Sequence, residues 1–148
     1  MTARVSSCTP ATFNARHELR RFVASRTVGV KLRGREVKHT GDGIMASFPS
    51  AVAAVTAALQ IQRDMAGGEV RVGVGLNAGE PIAEDDDLFG TAVQLAARIT
   101  DRAEPGQVLV SRVVADLCAG KTFEFTSVGE ATLKGFDEAV TLYEVRAG

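Results

Sequence analysis

The chain has 148 residues, enough for one domain with a buried core, and its 17 basic and 18 acidic residues leave a formal net charge of −1. That balance excludes the electrostatic footprint of a nucleic-acid or anionic-membrane binder, so the partners expected are small molecules or proteins. No apolar run approaches the ~20 residues that span a bilayer, MTARVSSCTPATF lacks the apolar centre of a signal peptide, and Cys8 and Cys118 are lone thiols without metal-ligand spacing, which together point to a reducing cytoplasm.

Residues 1–14 are polar and read as an atypical N-terminal segment, with disorder one reading of it; residues 15–148 read as the domain proper. From about Ala15 to Val30 a ragged helical pattern rests on Leu19, Phe22, Val23 and Val30. Arg35–Phe48 then reads as a hairpin, because Asp42-Gly43 supplies the turn dipeptide whose central residues need positive φ, and Asp42 falls at its tip. Pro49 suits the first turn of a broadly apolar helix on Val52, Val55, Leu59 and Ile61, which Gly67-Gly68 ends.

Val70, Val72, Val74 and Leu76 alternate along Glu69–Ala78 as a strand. Gly73 and Gly75 lie inside that strand with no helix directly after them, so they are no dinucleotide fingerprint. Pro81-Ile82 opens a return segment into the acidic run Glu84–Asp87, which suits the positive end of a helix expected over Asp87–Arg102. On such a helix Asp87, Thr91, Gln94 and Arg98 share one face. A short strand Val108–Val110, a helix Arg112–Cys118 and strands near Phe123–Thr126, Ala131–Lys134 and Val140–Val145 complete an α+β order.

Singly, these features are ordinary: an Asp-Gly turn is usually only a turn, and a polar i,i+4 pair is usually a solvated helix face. Together, KHTGDGIMASF, DLFGTAVQLAARI, EPGQVLVS and LKGFDEAVTLYEV resemble, in order, the catalytic domain of the class III nucleotidyl cyclases, the adenylate and guanylate cyclases, from about Arg33 to Val145. The resemblance implies a ferredoxin-like βαββαβ core with a C-terminal β extension. It also implies the chemistry: the ribose 3′-oxygen of a nucleoside triphosphate attacks its own α-phosphorus, and pyrophosphate leaves. Two divalent ions, Mg²⁺ or Mn²⁺, serve that reaction in the family, bridged by carboxylates.

Residue by residue, Asp42 matches one of the two bridging aspartates. The other belongs on a preceding first strand, in a motif resembling Phe-x-Asp-Ile, yet no Asp precedes Asp42 and the family spacing puts that position at or before Met1. The expectation is an N-terminally truncated core lacking the first strand, with the second metal site in question. Lys38 and Asp87 match the adenine-reading pair, a donor for N1 and an acceptor for the N6 amino group. Arg98 matches the arginine that meets charge at the α-phosphate, Gln94 stands where the family has a ribose-orienting Asn, and Lys134 in LKGF matches a polyphosphate-binding lysine.

In the family the site forms between two chains packed head to tail, so a homodimer, or a heterodimer with another cyclase chain, is implied. Two readings follow. One is an adenylate cyclase-type domain that converts ATP to 3′,5′-cyclic AMP and pyrophosphate, weak as this chain alone. The other is a degenerate, non-catalytic homologue that binds ATP or serves as a partner subunit.

Overall fold

A computed structural model describes residues 2–7, 35–40, 43–68, 71–80, 82–84 and 87–148. Nine strands and three helices are described: β1 Thr2–Ser7, β2 Arg35–Thr40, β3 Gly43–Ser47, α1 Ala51–Met65, β4 Val72–Asn77, β5 Ile82–Glu84, β6 Asp87–Phe89, α2 Thr91–Arg102, β7 Val108–Ser111, α3 Arg112–Leu117, β8 Phe123–Ala131 and β9 Val140–Ala147. Seven strands form one sheet in the order β2-β3-β1-β4-β7-β9-β8, and β5 pairs with β6 as a separate ribbon. Only β4 and β7 pair in parallel; the other described pairings are antiparallel, as an α+β fold requires.

The expectation of a missing first strand is corrected here. Thr2–Ser7 forms β1 in the interior of the sheet, between β3 and β4, with Ser6 opposite Gly43 on one side and Gly73 on the other. Thr-Ala-Arg-Val-Ser-Ser is compatible with a strand, and both flanking strands offer it a full ladder of hydrogen-bonding partners. What this strand lacks is a carboxylate. The helix expected over 15–30, and the rest of the N-terminal segment, lie outside the described residues.

Alternation along β4 explains how the sheet carries helices on both faces. Val72, Val74 and Leu76 join Val108, Val110 and Val145 in a core that α1 covers with Ala54, Val55, Ala58 and Ile61, and α3 with Val114. Ser50 caps α1 by accepting from the Ala53 N–H at 3.1 Å, so Pro49 stands before the cap rather than in the first turn. On the opposite face Ile99 of α2 and Ala103 at its C-cap pack with Leu109, Ala131, Leu133 and Leu142.

Two further readings change. The strands expected near Phe123–Thr126 and Ala131–Lys134 are one strand, β8, which stays paired with β9 through a register shift between Ser127 and Gly129. Gly129 takes φ +94°, the conformation a bulge of this kind needs and other residues rarely adopt. Lys134 therefore lies beyond the strand, in the loop before β9. Among the described residues no helix is long and apolar enough to cross a membrane.

Candidate nucleotide site

α2 begins later than the periodicity suggests. Asp87-Leu88-Phe89 pairs with Ile82-Ala83-Glu84 as β6 against β5, closing on Glu84 opposite Asp87. Gly90 then takes φ +109°, outside any right-handed helix, and its carbonyl accepts from Val93 and Gln94 at 3.1 Å each, so the helix starts at Thr91. Asp87 consequently stands on the ribbon that feeds α2 and not on its face. Thr91, Gln94 and Arg98 do share one side of α2; Thr91 and Gln94 are exposed and Arg98 is half-buried, while Ala96, Ile99 and Thr100 are buried on the other side.

The helix bearing Gln94 and Arg98 lies unusually close to the sheet. A Cβ on Gly75 would come within 2.7 Å of the Thr100 Cα, and one on Gly79 within 2.7 Å of the Ala92 Cβ. Gly75, inside β4, and Gly79, just after it, are a bed for α2. Arg98 reaches along its own helix to Asp101 at 3.3 Å, an ion pair with both partners partly accessible, so the guanidinium is available to a ligand at small cost.

Lys38 lies on β2 at the register position opposite Met45, just past a shift between Glu36 and Lys38. β2 and β6 approach to Cα separations of 8 Å or less, so the strands carrying Lys38 and Asp87 adjoin within one chain. The hairpin of β2 and β3 closes on Thr40 opposite Gly43, and Asp42, the expected metal carboxylate, lies outside the described residues.

Lys134 occupies a tight turn. The Phe136 N–H donates to the Leu133 carbonyl at 3.0 Å, and Gly135 takes φ +88°, the positive φ that a type II turn demands at its third residue. Leu133 is buried and Phe136 half-buried in the core cluster of Ile99 and Leu95, so LKGF fastens an exposed lysine to the packing layer of α2. Leu and Phe anchor the turn, Gly bends it and Lys is left outside.

The family works with divalent ions. A two-ion centre needs a second carboxylate beside the hairpin, and β1, the strand registered there, reads Thr-Ala-Arg-Val-Ser-Ser. Among the described residues no group of three His, Cys, Asp or Glu could hold a metal. β1 thus contributes no carboxylate for a second bridge, and Asp42 lies outside the described residues.

Sequence reasoning missed one buried polar group. Asn77, 3% exposed at the end of β4, donates from Nδ2 to the Ala92 carbonyl of α2 at 3.0 Å, and Ser111, also 3% exposed, donates to its Oδ1 at 2.7 Å. A polar residue on the glycine face of an otherwise apolar strand was the available signal.

The amino-acid sequence of residues 24–146 matches the family described as the adenylate and guanylate cyclase catalytic domain. A provisionally named adenylate cyclase 3 of Rhizobium meliloti is 36% identical over 120 residues, covering 75% of this chain and 20% of that protein. The chain thus spans about a fifth of that relative's length. An adenylate/guanylate cyclase/hydrolase from Silicibacter pomeroyi is similar in structure, with TM-score 0.82 and 28% identity over 97% of this chain and 94% of that one. A dimeric guanylyl cyclase domain from Blastocladiella emersonii shares the fold at TM-score 0.77 and 14% identity, over 99% and 94% of the two chains. With 123 of its 148 residues inside the family match, this chain belongs to the adenylate and guanylate cyclase catalytic domain family.

Proposed function

We propose that this chain is an adenylate cyclase-type domain that binds ATP and takes part in its conversion to 3′,5′-cyclic AMP and pyrophosphate at a site shared between two chains. The observation that carries the reading is α2: a helix pressed onto glycines of the sheet, presenting Thr91, Gln94 and Arg98 in one line, and fed by the ribbon that bears Asp87 beside the strand of Lys38. Lys38 and Asp87 read the adenine edge, Gln94 orients the ribose, Arg98 meets charge developing at the α-phosphate, and Lys134 holds the polyphosphate. Asp42 is the carboxylate for one Mg²⁺ or Mn²⁺. A rigid helix suits such work, because donors fixed in advance need not reorganise as charge moves.

The carboxylate-free β1 favours a second reading for the chain by itself, that of an ATP-binding partner subunit which supplies Arg98 to a complete cyclase. One experiment addresses both. The purified chain is assayed for cyclic AMP and cyclic GMP with Mn²⁺ or Mg²⁺, alone and mixed with a complete class III cyclase whose own transition-state arginine has been replaced. Weak or no cyclic AMP alone and restoration in the mixture, abolished by Arg98→Ala, supports the proposal; no restoration and no ATP binding refutes it.

A further inference from the structure

The C-terminal half of α2 is held by apolar packing of Leu95 and Ile99 against Leu109, Leu133 and Leu142. At its N-terminal end Ala92 lies against Gly79, which offers no side chain, and the N-cap, Gly90, makes no side-chain capping bond. Among the described residues, a directional tie at this end is the Asn77 bond to the Ala92 carbonyl. That carbonyl only accepts, so the amide nitrogen must face it, and Oδ1 then faces Ser111, whose hydroxyl must be the donor. Ser111 ends β7 and stands at the N-cap of α3, where a serine ordinarily bonds the first-turn N–H groups; here it makes no such bond and holds Asn77 in its flip instead. The parallel register, Leu76 opposite Val110, brings the two residues side by side.

We propose that Asn77 is a positioning residue for Arg98 and Gln94, acting through the Ala92 carbonyl, with Ser111 fixing the orientation of its amide. The proposal rests on the cyclase reading for its functional half. A buried amide and hydroxyl at the sheet's helix face give up hydration that leucine and alanine would not, and they return a fixed register for the helix that carries the phosphate-facing groups. Misplacement by about 1 Å at such groups costs on the order of 10²-fold in turnover.

The test uses Asn77→Ala, which removes the tie, and Ser111→Ala, which keeps the amide but frees its flip. Hydrogen exchange without nucleotide reads the tie itself: amides of residues 92–98 should exchange roughly tenfold faster or more in Asn77→Ala, and less so in Ser111→Ala, with β8 and β9 unchanged. In the mixed assay, Asn77→Ala should lower kcat about 10²-fold with KM little changed, and adding Arg98→Ala should lower it no further than Arg98→Ala alone. Unchanged α2 exchange, or an Asn77→Ala loss fully additive to that of Arg98→Ala, overturns the proposal. Should α2 loosen as expected in a chain that neither binds nor turns over ATP, the tie stands and the cyclase reading falls.

Discussion

Thr100 of α2 lies on Gly75 of β4 with no space for a side chain between them: a Cβ on Gly75 would sit 2.5 Å from the Thr100 Oγ1 and 2.7 Å from its Cα. The nearest neighbours include backbone, which cannot swing aside as a flexible side-chain tip could. Gly75→Ala should therefore destabilise by about 1–3 kcal/mol, the usual cost of overpacking, despite the better strand propensity of alanine. A urea midpoint lowered with unchanged slope is the expected result. Gly120→Ala serves as a comparison, since a Cβ there has nothing within 4 Å and only φ +79° opposes it; its loss should be smaller.

Much of this architecture is legible in sequence, and the misreadings share a cause. The hairpin of β2 and β3, α1, β4, β7 and β9 follow from turn dipeptides and apolar periodicity, which depend on neighbours along the chain. The helical spacing of Asp87 to Thr91, Gln94 and Arg98 suggests one α2 face, yet Gly90 at φ +109° ends that continuity and β5 captures Asp87-Leu88-Phe89 as a strand. The absence of a carboxylate motif before Asp42 suggests a missing first strand, although strand formation depends on pairing partners and not on that motif. Asn77 and Ser111 are 34 residues apart, and their bond exists only because β4 and β7 pair in parallel.

On the proposed reading, Lys38 and Asp87, on strands that adjoin, confer selectivity for the base. Guanine would set donor against donor and acceptor against acceptor, and each buried unsatisfied group costs about 1–3 kcal/mol. Calorimetry should therefore show ATP bound more tightly than GTP, with Asp87→Ala collapsing the difference. Equal affinities in the unaltered chain would remove the adenine assignment.

Arg98→Ala should separate function from stability. Its ion pair with Asp101 is a surface pair at i,i+3, worth less than about 0.5 kcal/mol, so the thermal midpoint should barely move. If Arg98 meets charge developing at the α-phosphate, as proposed, its loss should lower turnover in the mixed assay by ~10²–10³-fold. Arg98→Lys should recover little of that, because an ammonium cannot reproduce the planar fork. A large drop in melting temperature with unchanged turnover would assign Arg98 to the fold instead.

Cys118, at the C-cap of α3, is buried, and desolvation raises its thiol pKa above the ordinary value of 9.0, partly offset by Lys121. The folded chain therefore holds this proton more tightly than the unfolded chain. The resulting contribution to stability is fully present below pH 9.0 and is lost as pH rises through the folded-state value. Urea midpoints measured on either side of that pH should fall more steeply for the parent chain than for Cys118→Ala. Parallel slopes would show that the thiol does not ionise against folding.

The last expectation concerns β1 and the charge it lacks. Two divalent ions held close together repel strongly, and bridging carboxylates are what offset that repulsion; if Asp42 is the metal carboxylate, as proposed, a neighbouring strand reading Thr-Ala-Arg-Val-Ser-Ser would leave the pair undercompensated. The chain alone should accordingly form cyclic AMP feebly or not at all. Ser6 and Ser7 are the β1 residues nearest the closing row of that hairpin, since Ser6 registers opposite Gly43, the residue after Asp42. Introducing a carboxylate by Ser6→Asp or Ser7→Asp should raise Mn²⁺-dependent turnover in one of the two variants, and Arg4→Ala in the same background should raise it further by removing a like charge from the strand. Titration of activity against Mn²⁺ decides the matter: vigorous two-ion turnover by the unaltered chain would mean that another group supplies the second bridge, whereas a gain confined to one serine position would locate the missing carboxylate on β1.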